Sequence, residues 1–196
     1  KNCLALFVIT LVAGVSLGTN VIIANAVGMK NRNTIQKAVH TSIFFSVVCG
    51  IIMAVLGELF AIPILRSLSV PDDVLPMAVL YLRIYLTGLP VILLYNFEAA
   101  IYRGMGNTRT PLEALTAAGV INIFLNLFFV IILGMTVDGV AIATVISNAV
   151  SSIALLRNLI ITDSDAKLEA GQLRIDPSVF GKIMRIGVPA GIQAGV

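Results

Sequence analysis

The sequence predicts an all-α polytopic membrane protein, with five spanning helices plus the start of a sixth. Three observations carry that prediction. Only 12% of the 196 residues are charged and 58% are hydrophobic, against roughly 25% charged residues in soluble domains. Five apolar stretches, Cys3–Met29, Ala38–Leu65, Met77–Tyr102, Leu112–Gly134 and Gly139–Ile161, each reach the ~20 residues needed to cross a bilayer. The basic residues between them fall in alternate loops. This composition excludes a soluble globular domain, a disordered tail and a nucleic-acid-binding module. The net charge of +3 is a small Lys/Arg excess rather than a basic patch.

The first stretch starts without a visible charged leader and has no cleavage site after it, so it is not expected to be a signal peptide. A sixth apolar run opens at Ile186 and stops at Val196, and the first residue is Lys1. The chain is therefore expected to be a piece of a larger polytopic protein. Cys3 and Cys49 lie inside apolar stretches and are expected to pack as small apolar residues. Residues 30–37, 103–111 and 157–185 hold ten of the 13 Lys and Arg residues. By the positive-inside rule these loops are cytoplasmic, and those at Arg66–Pro76 and Met135–Asp138 lie outside.

Local signals agree with helix starts at the loops. Thr110-Pro111-Leu112-Glu113 reads as a capping box with Pro at the first helical position. Val70-Pro71-Asp72-Asp73 puts acids in a first turn. Asp176-Pro177 reads as an N-cap, opening a short amphipathic piece that leads into the sixth run. Residues 162–172 (TDSDAKLEAGQ) form the only soluble-looking linker and are expected to be flexible.

Within the spans, Gly14 and Gly18, and likewise Gly187, Gly191 and Gly195, form faces that suit close helix packing. Pro90 lies mid-stretch after Gly88 and predicts a kink, either static or a flexing hinge. Polar side chains in lipid usually face the bundle or a cavity. Asn122 and Asn126 share one helix face, as do Thr144, Asn148 and Ser151 with Ser147 beside them; Ser16 and Asn20 pair in the first helix. Their oxygens can hold helices together by hydrogen bonds or coordinate a cation or substrate. Glu98, flanked by Tyr95 and Asn96, is either a proton or cation carrier or the partner of Arg103. Glu113 is expected to cap its helix, Arg83 to snorkel at the outer interface, and Glu58 to have a structural partner. His40 is expected at a helix start near the cytoplasmic interface.

The sequence holds no Walker A, HExxH, Gly-Xaa-Ser-Xaa-Gly or Cys/His metal motif. An ion gradient would then be the energy source, at ~2.3 kcal/mol per charge per 100 mV. A membrane enzyme would need clustered His, Asp or Glu, but His40, Glu98 and Glu113 are spread over three helices.

Six segments in order carry a resemblance: Gly18–Gly28 (GTNVIIANAVG), Tyr81–Pro90 (YLRIYLTGLP), Tyr102–Leu112 (YRGMGNTRTPL), Asn122–Phe128 (NIFLNLF), Gly139–Ser147 (GVAIATVIS) and Ile186–Gln193 (IGVPAGIQ). With these the chain resembles the multidrug and toxic compound extrusion (MATE) family. The resemblance implies twelve helices in two lobes. Residues 1–161 would be helices two to six of the amino-terminal lobe, 162–177 the cytoplasmic inter-lobe linker and 178–196 the start of helix seven. It implies export of cationic or amphipathic drugs by H⁺- or Na⁺-coupled antiport across the cytoplasmic membrane, with no cofactor, by a protein monomeric in full-length form. Its cation site would use a first-helix acid, before Lys1, with Asn122, Asn126, Thr144 and Asn148; many members are similar but carry Asp where Asn126 stands. A lipid-linked polysaccharide flippase of the same superfamily is the alternative; it favours a cationic cavity, whereas the spans here offer only Arg83.

Overall fold

A computed structural model describes residues 3–67, 71, 73–162, 164–168 and 174–195. The side chain of Cys3, and Val70, Asp72 and residues 169–173 of the expected first turn and linker, lie outside the described residues. The elements are α1 (Cys3–Gly28), α2 (Arg32–Ser67), α3 (Leu75–Thr87), α4 (Leu89–Gly104), α5 (Arg109–Leu127), a π-helical turn (Phe128–Ile132), α6 (Val137–Ile161) and α7 (Pro177–Gly195). Among the described residues three helical segments are long and apolar enough to cross a membrane: Arg32–Pro63, Arg109–Ile132 and Val137–Ile161. The pair α3 and α4, bent by 45°, makes a fourth if it counts as one span. That places a multi-pass helical protein in the bilayer.

The helices overrun the apolar stretches because hydropathy marks the lipid-immersed part, while hydrogen bonding continues into water. α2 starts six residues before Ala38. Lys30 turns the chain with a positive φ of 52°, and the Asn31 side chain accepts from the Thr34 amide at 3.1 Å, a cap for the orphan donors of the first turn. His40 therefore sits inside α2 rather than at its start. It is buried, and its Nδ1 lies 2.7 Å from the Gln36 carbonyl oxygen.

The expected kink is a break at Gly88. The Gly88 amide caps α3 by donating to the Tyr85 carbonyl at 3.0 Å, and the Gly88 carbonyl accepts from Val91 and Ile92. Pro90 falls in the first turn of α4, where its missing N–H leaves no bond unmade. A Cβ on Gly50 would lie 2.5 Å from the Pro90 Cα, so α2 passes very close to this corner.

The expected capping box is not formed. Asn107 starts α5 instead: its Oδ1 accepts from the Thr110 amide at 3.1 Å and its Nδ2 donates to the Thr110 hydroxyl at 2.9 Å. Glu113 turns back to Arg109, whose Nε donates to it at 2.7 Å, because Arg109 lies inside the helix at the i,i+4 position.

The Asp176 cap forms as the sequence predicts. Its carboxylate accepts from the amides of Ser178 and Val179 at 3.1 and 3.2 Å. Lys37 reaches it at 3.1 Å, and this bond, with the amides, holds the carboxyl below the usual carboxylate range. The Asp176 amide donates to Thr41 Oγ1 at 3.0 Å. The amphipathic piece and the sixth run are one continuous helix, α7.

The linker is docked where it is described. Ala166 and Leu168 are buried in the main apolar core, the Leu168 amide donates to the Leu159 carbonyl at 3.0 Å, and Arg32 meets Asp165 at 2.9 Å. The expectation of a flexible segment fails at 164–168 because two apolar side chains find a ready pocket.

The core lies toward the basic-loop end. Ile23, Ile35, Phe97, Ile101, Leu155, Leu159 and Ile183 are the largest of its fully buried apolar members. Tight helix contacts build it. A Cβ on Gly187 would lie 2.5 Å from the Val15 Cα and 2.8 Å from the Gly14 carbonyl oxygen, and one on Gly14 would strike the Gly191 backbone. The two predicted small-residue faces thus meet each other. α2 and α5 by contrast expose rows of large apolar residues, among them Ile52, Val55, Leu59, Ile123 and Phe124, as lipid-facing helices do.

Candidate functional site

The polar side chains of α5 and α6 meet in one network. Asn122 is its node, with Nδ2 donating to Ser147 Oγ at 3.2 Å and reaching Thr144 Oγ1 at 3.5 Å. Asn126, one turn on, donates from Nδ2 to Asn122 Oδ1 at 2.9 Å. The remaining oxygen of Asn126, Oδ1, is buried and has no hydrogen-bond partner among the described residues. The network is half-buried at Asn122, Asn126 and Thr144 and fully buried at Ser147.

The hydroxyl protons explain what this arrangement can do. Thr144 Oγ1 donates to the Val140 carbonyl at 2.9 Å and Ser147 Oγ to the Thr144 carbonyl at 3.0 Å. Both protons are committed to the helix backbone, so both oxygens face Asn122 only as acceptors. An amide rotates about its last torsion, and its O and N ends are near-isosteric. Turned over together with Asn126, Asn122 would present a carbonyl oxygen beside two hydroxyl oxygens and donate to Asn126 Oδ1. Rings of neutral oxygens of this type replace the hydration shell of a small cation.

Two of the sequence candidates stand apart. Asn148 turns its amide back onto its own helix, Nδ2 donating to the Thr144 carbonyl at 2.8 Å. Its place on the face is as expected, but its donor is spent locally. Asn20 is half-buried on α1. It lies beside α4, where a Cβ on Gly104 would sit 2.8 Å from its backbone oxygen.

Glu98 forms a second polar centre, between α4 and α6. It is fully buried. Oε2 accepts from Ser152 Oγ at 2.9 Å, and Oε1 has no partner among the described residues. The alternative ion pair with Arg103 is not made, because the Arg103 Nε donates to the Ala99 carbonyl at 3.0 Å on its own helix. One turn beyond, the Tyr102 hydroxyl donates to the Leu155 carbonyl at 3.3 Å. Ser147 and Ser152 are five residues apart, so the two centres lie about 8 Å apart along α6. Between them Ser151 Oγ donates to the Asn148 carbonyl at 3.0 Å. Ser152 and Tyr102 were not among the sequence candidates. A serine two turns below Thr144 is ordinary in a membrane helix, and only the fold sets it against Glu98.

Arg83 and Glu58 answer each other at the far end, with 3.3 Å between Nε and Oε2. The structural partner expected for Glu58 is thus on α3.

Comparison with known proteins gives a consistent result. The MatE family model matches residues 2–128. The chain is 31% identical over 194 residues to the probable multidrug resistance protein YoeA of Bacillus subtilis (strain 168), covering 94% of this chain and 42% of that protein. It is 29% identical over 184 residues to the probable multidrug resistance protein NorM of Thermotoga maritima, covering 91% of this chain and 39% of that one. The chain therefore spans about two fifths of the length of the curated relatives it matches. Its fold superposes on an inward-facing multidrug resistance MATE family transporter of the MOP superfamily with a TM-score of 0.89, at 23% identity, covering 98% of this chain and 45% of that one. An all-helical bundle with a polar seam inside it and a family match over most of its length leads to one assignment: the chain belongs to the MatE family of multidrug and toxic compound extrusion transporters.

Proposed function

We propose that the protein carrying this chain is a cation-coupled antiporter that exports cationic or amphipathic compounds across the cytoplasmic membrane by alternating access. The chain supplies most of one lobe, with α1 and α7 completing the count of spans, and no cofactor takes part. The single observation that carries this reading is the Asn122 network, in which Asn126 Oδ1 is a buried acceptor without a donor. An unspent carbonyl oxygen in the membrane is costly, and a cation or a substrate donor would satisfy it. Asn122, Asn126, Thr144 and Ser147 make the neutral part of the ion site; the family's first-helix acid would add the charge. Asn148 and Asn20 belong to the wider binding region that the family resemblance implies. The coupling ion is H⁺ or Na⁺. The functional protein is a monomer.

Glu98 is a separate proton-handling group. Glu98→Gln keeps the shape of the side chain and its bond from Ser152 but removes the titrating proton. Efflux by this variant is expected to lose most of its pH dependence while keeping its expression level, read by initial rates in everted vesicles. An unaltered pH profile returns Glu98 to a packing role. Pro90, at the corner against Gly50, is the point about which α3 swings on α4.

The loops at 30–37, 103–111 and 157–185 face the cytoplasm, following the distribution of Lys and Arg. A cysteine at Asp138→Cys is then expected to react with an impermeant maleimide added outside intact cells. Reaction only after permeabilisation would invert the orientation. The whole reading is tested by dye efflux from pump-deficient cells expressing the full-length protein, with the H⁺ and Na⁺ gradients collapsed in turn. Efflux that stops with one gradient names the ion; efflux indifferent to both refutes antiport.

A further inference from the structure

Two adjoining cavities lie between α2 and α3, away from the Asn122 network. One, of about 390 Å³, is lined by Ile62, Arg66, Leu75, Pro76, Val79, Leu80 and Arg83. The other, of about 350 Å³, is lined by apolar Ile51, Ala54, Val55 and Leu59 with Glu58, Thr87 and Pro90. The Glu58–Arg83 pair is the wall between them. The first holds two guanidinium groups over an apolar floor. Arg83 is engaged by Glu58, while Arg66 is exposed, stands in the last turn of α2 and makes no ion pair among the described residues. Ile51, Val55, Leu59 and Ile62 are themselves exposed, so both cavities open at the surface of α2.

We propose that these cavities bind one anionic phospholipid, its phosphate on Arg66 and Arg83 and one acyl chain in the apolar groove against the Gly88 break. Charge and shape both select this occupant. A guanidinium at a lipid-facing helix end reaches for a phosphate, which it matches in charge and in its forked geometry. Beyond the Glu58–Arg83 pair, Ile51, Ala54, Val55 and Leu59 offer an acyl chain an apolar surface. Glu58 lies nine residues from the end of α2, about 13 Å down the helix. It draws Arg83 inward and so competes with the phosphate for it. Thr87 and Pro90 flank the break, so a chain resting there props the bend between α3 and α4. The proposal rests on α2 and α3 lying in the bilayer, and it concerns lipid binding rather than transport.

The test uses the full-length protein in nanodiscs of equal parts phosphatidylglycerol and phosphatidylcholine. The lipids that stay bound through delipidation are counted by mass spectrometry. Wild-type protein is expected to retain phosphatidylglycerol preferentially. Arg66→Gln should lower that preference roughly fivefold, the effect of about 1 kcal/mol per basic residue at a membrane surface. Glu58→Gln should raise it, because Arg83 is released to the phosphate. Opposite signs for the two variants separate lost binding from damage to the fold, since a misfolded protein gains no preference. Equal retention of both lipids by wild-type protein, or an unchanged ratio in Arg66→Gln, overturns the proposal. Dye efflux can fail with the lipid ratio intact, so this outcome is independent of the transport reading.

Discussion

Valine at Gly14 or at Gly187 is expected to push α1 and α7 apart and to unfold that side of the bundle. Each glycine faces backbone, not a side chain that can rotate away. At Gly187 the first added carbon would already meet the Val15 Cα at 2.5 Å and the Gly14 oxygen at 2.8 Å. Overpacking against side chains costs about 1–3 kcal/mol; against two backbones that cannot yield, the loss should reach at least ~3 kcal/mol, the top of that range. The readout is thermal aggregation of the full-length protein in detergent, with a drop in melting temperature for both variants. Gly119→Ala on α5 is the control, because nothing lies within 4 Å of its missing Cβ and Ala favours the helix by about 1 kcal/mol over Gly. Wild-type melting of both valine variants would mean that α1 and α7 do not meet at these residues.

Asn122→Ala should abolish ion-coupled efflux while leaving expression and folding intact. Asn122 hydrogen-bonds to Ser147 and Asn126 and reaches Thr144. Its removal takes away an oxygen from the ion site and leaves Asn126 without an acceptor for Nδ2. The loss of one such ligand is expected to lower apparent cation affinity at least tenfold, equivalent to ~1.4 kcal/mol. Transport assayed against cation concentration in proteoliposomes measures it. Asn122→Asp supplies the complementary result, since a carboxylate in the same place should tighten the cation and slow its release. Unchanged ion dependence in both variants would remove the cation from this network.

The placement of these groups was legible in the sequence to different depths. The spans were readable because lipid imposes a length and a hydropathy that few other environments demand. Asn122 and Asn126 could be put on one face from their four-residue spacing alone, and Thr144 and Ser147 on the facing helix. Two glycine faces were visible, but not that each was the other's partner, since spacing reports a helix's own surface and not its neighbour. Glu98 was singled out and its partner was not, because Ser152 lies 54 residues away and has nothing unusual in its own neighbourhood. The start of α5 was misplaced by the strength of a familiar pattern: Thr110 and Glu113 have the right spacing for a capping box, yet Asn107 lies earlier and takes the role. The docking of Ala166 and Leu168 was hidden because two apolar residues in a polar run carry no periodic signal.

The docked connection also decides how force passes through the molecule. Fifteen residues, 162–176, can span about 50 Å when extended, enough slack for two bodies to move independently. Here the described parts of that connection are tied to the bundle. Asp165 is tied to Arg32, Leu168 to Leu159, and Asp176 to Lys37 and Thr41. α7 is thus launched from the surface of α2 and clasped along its length by α1. These contacts hold α7 against the bundle at its start and along its length.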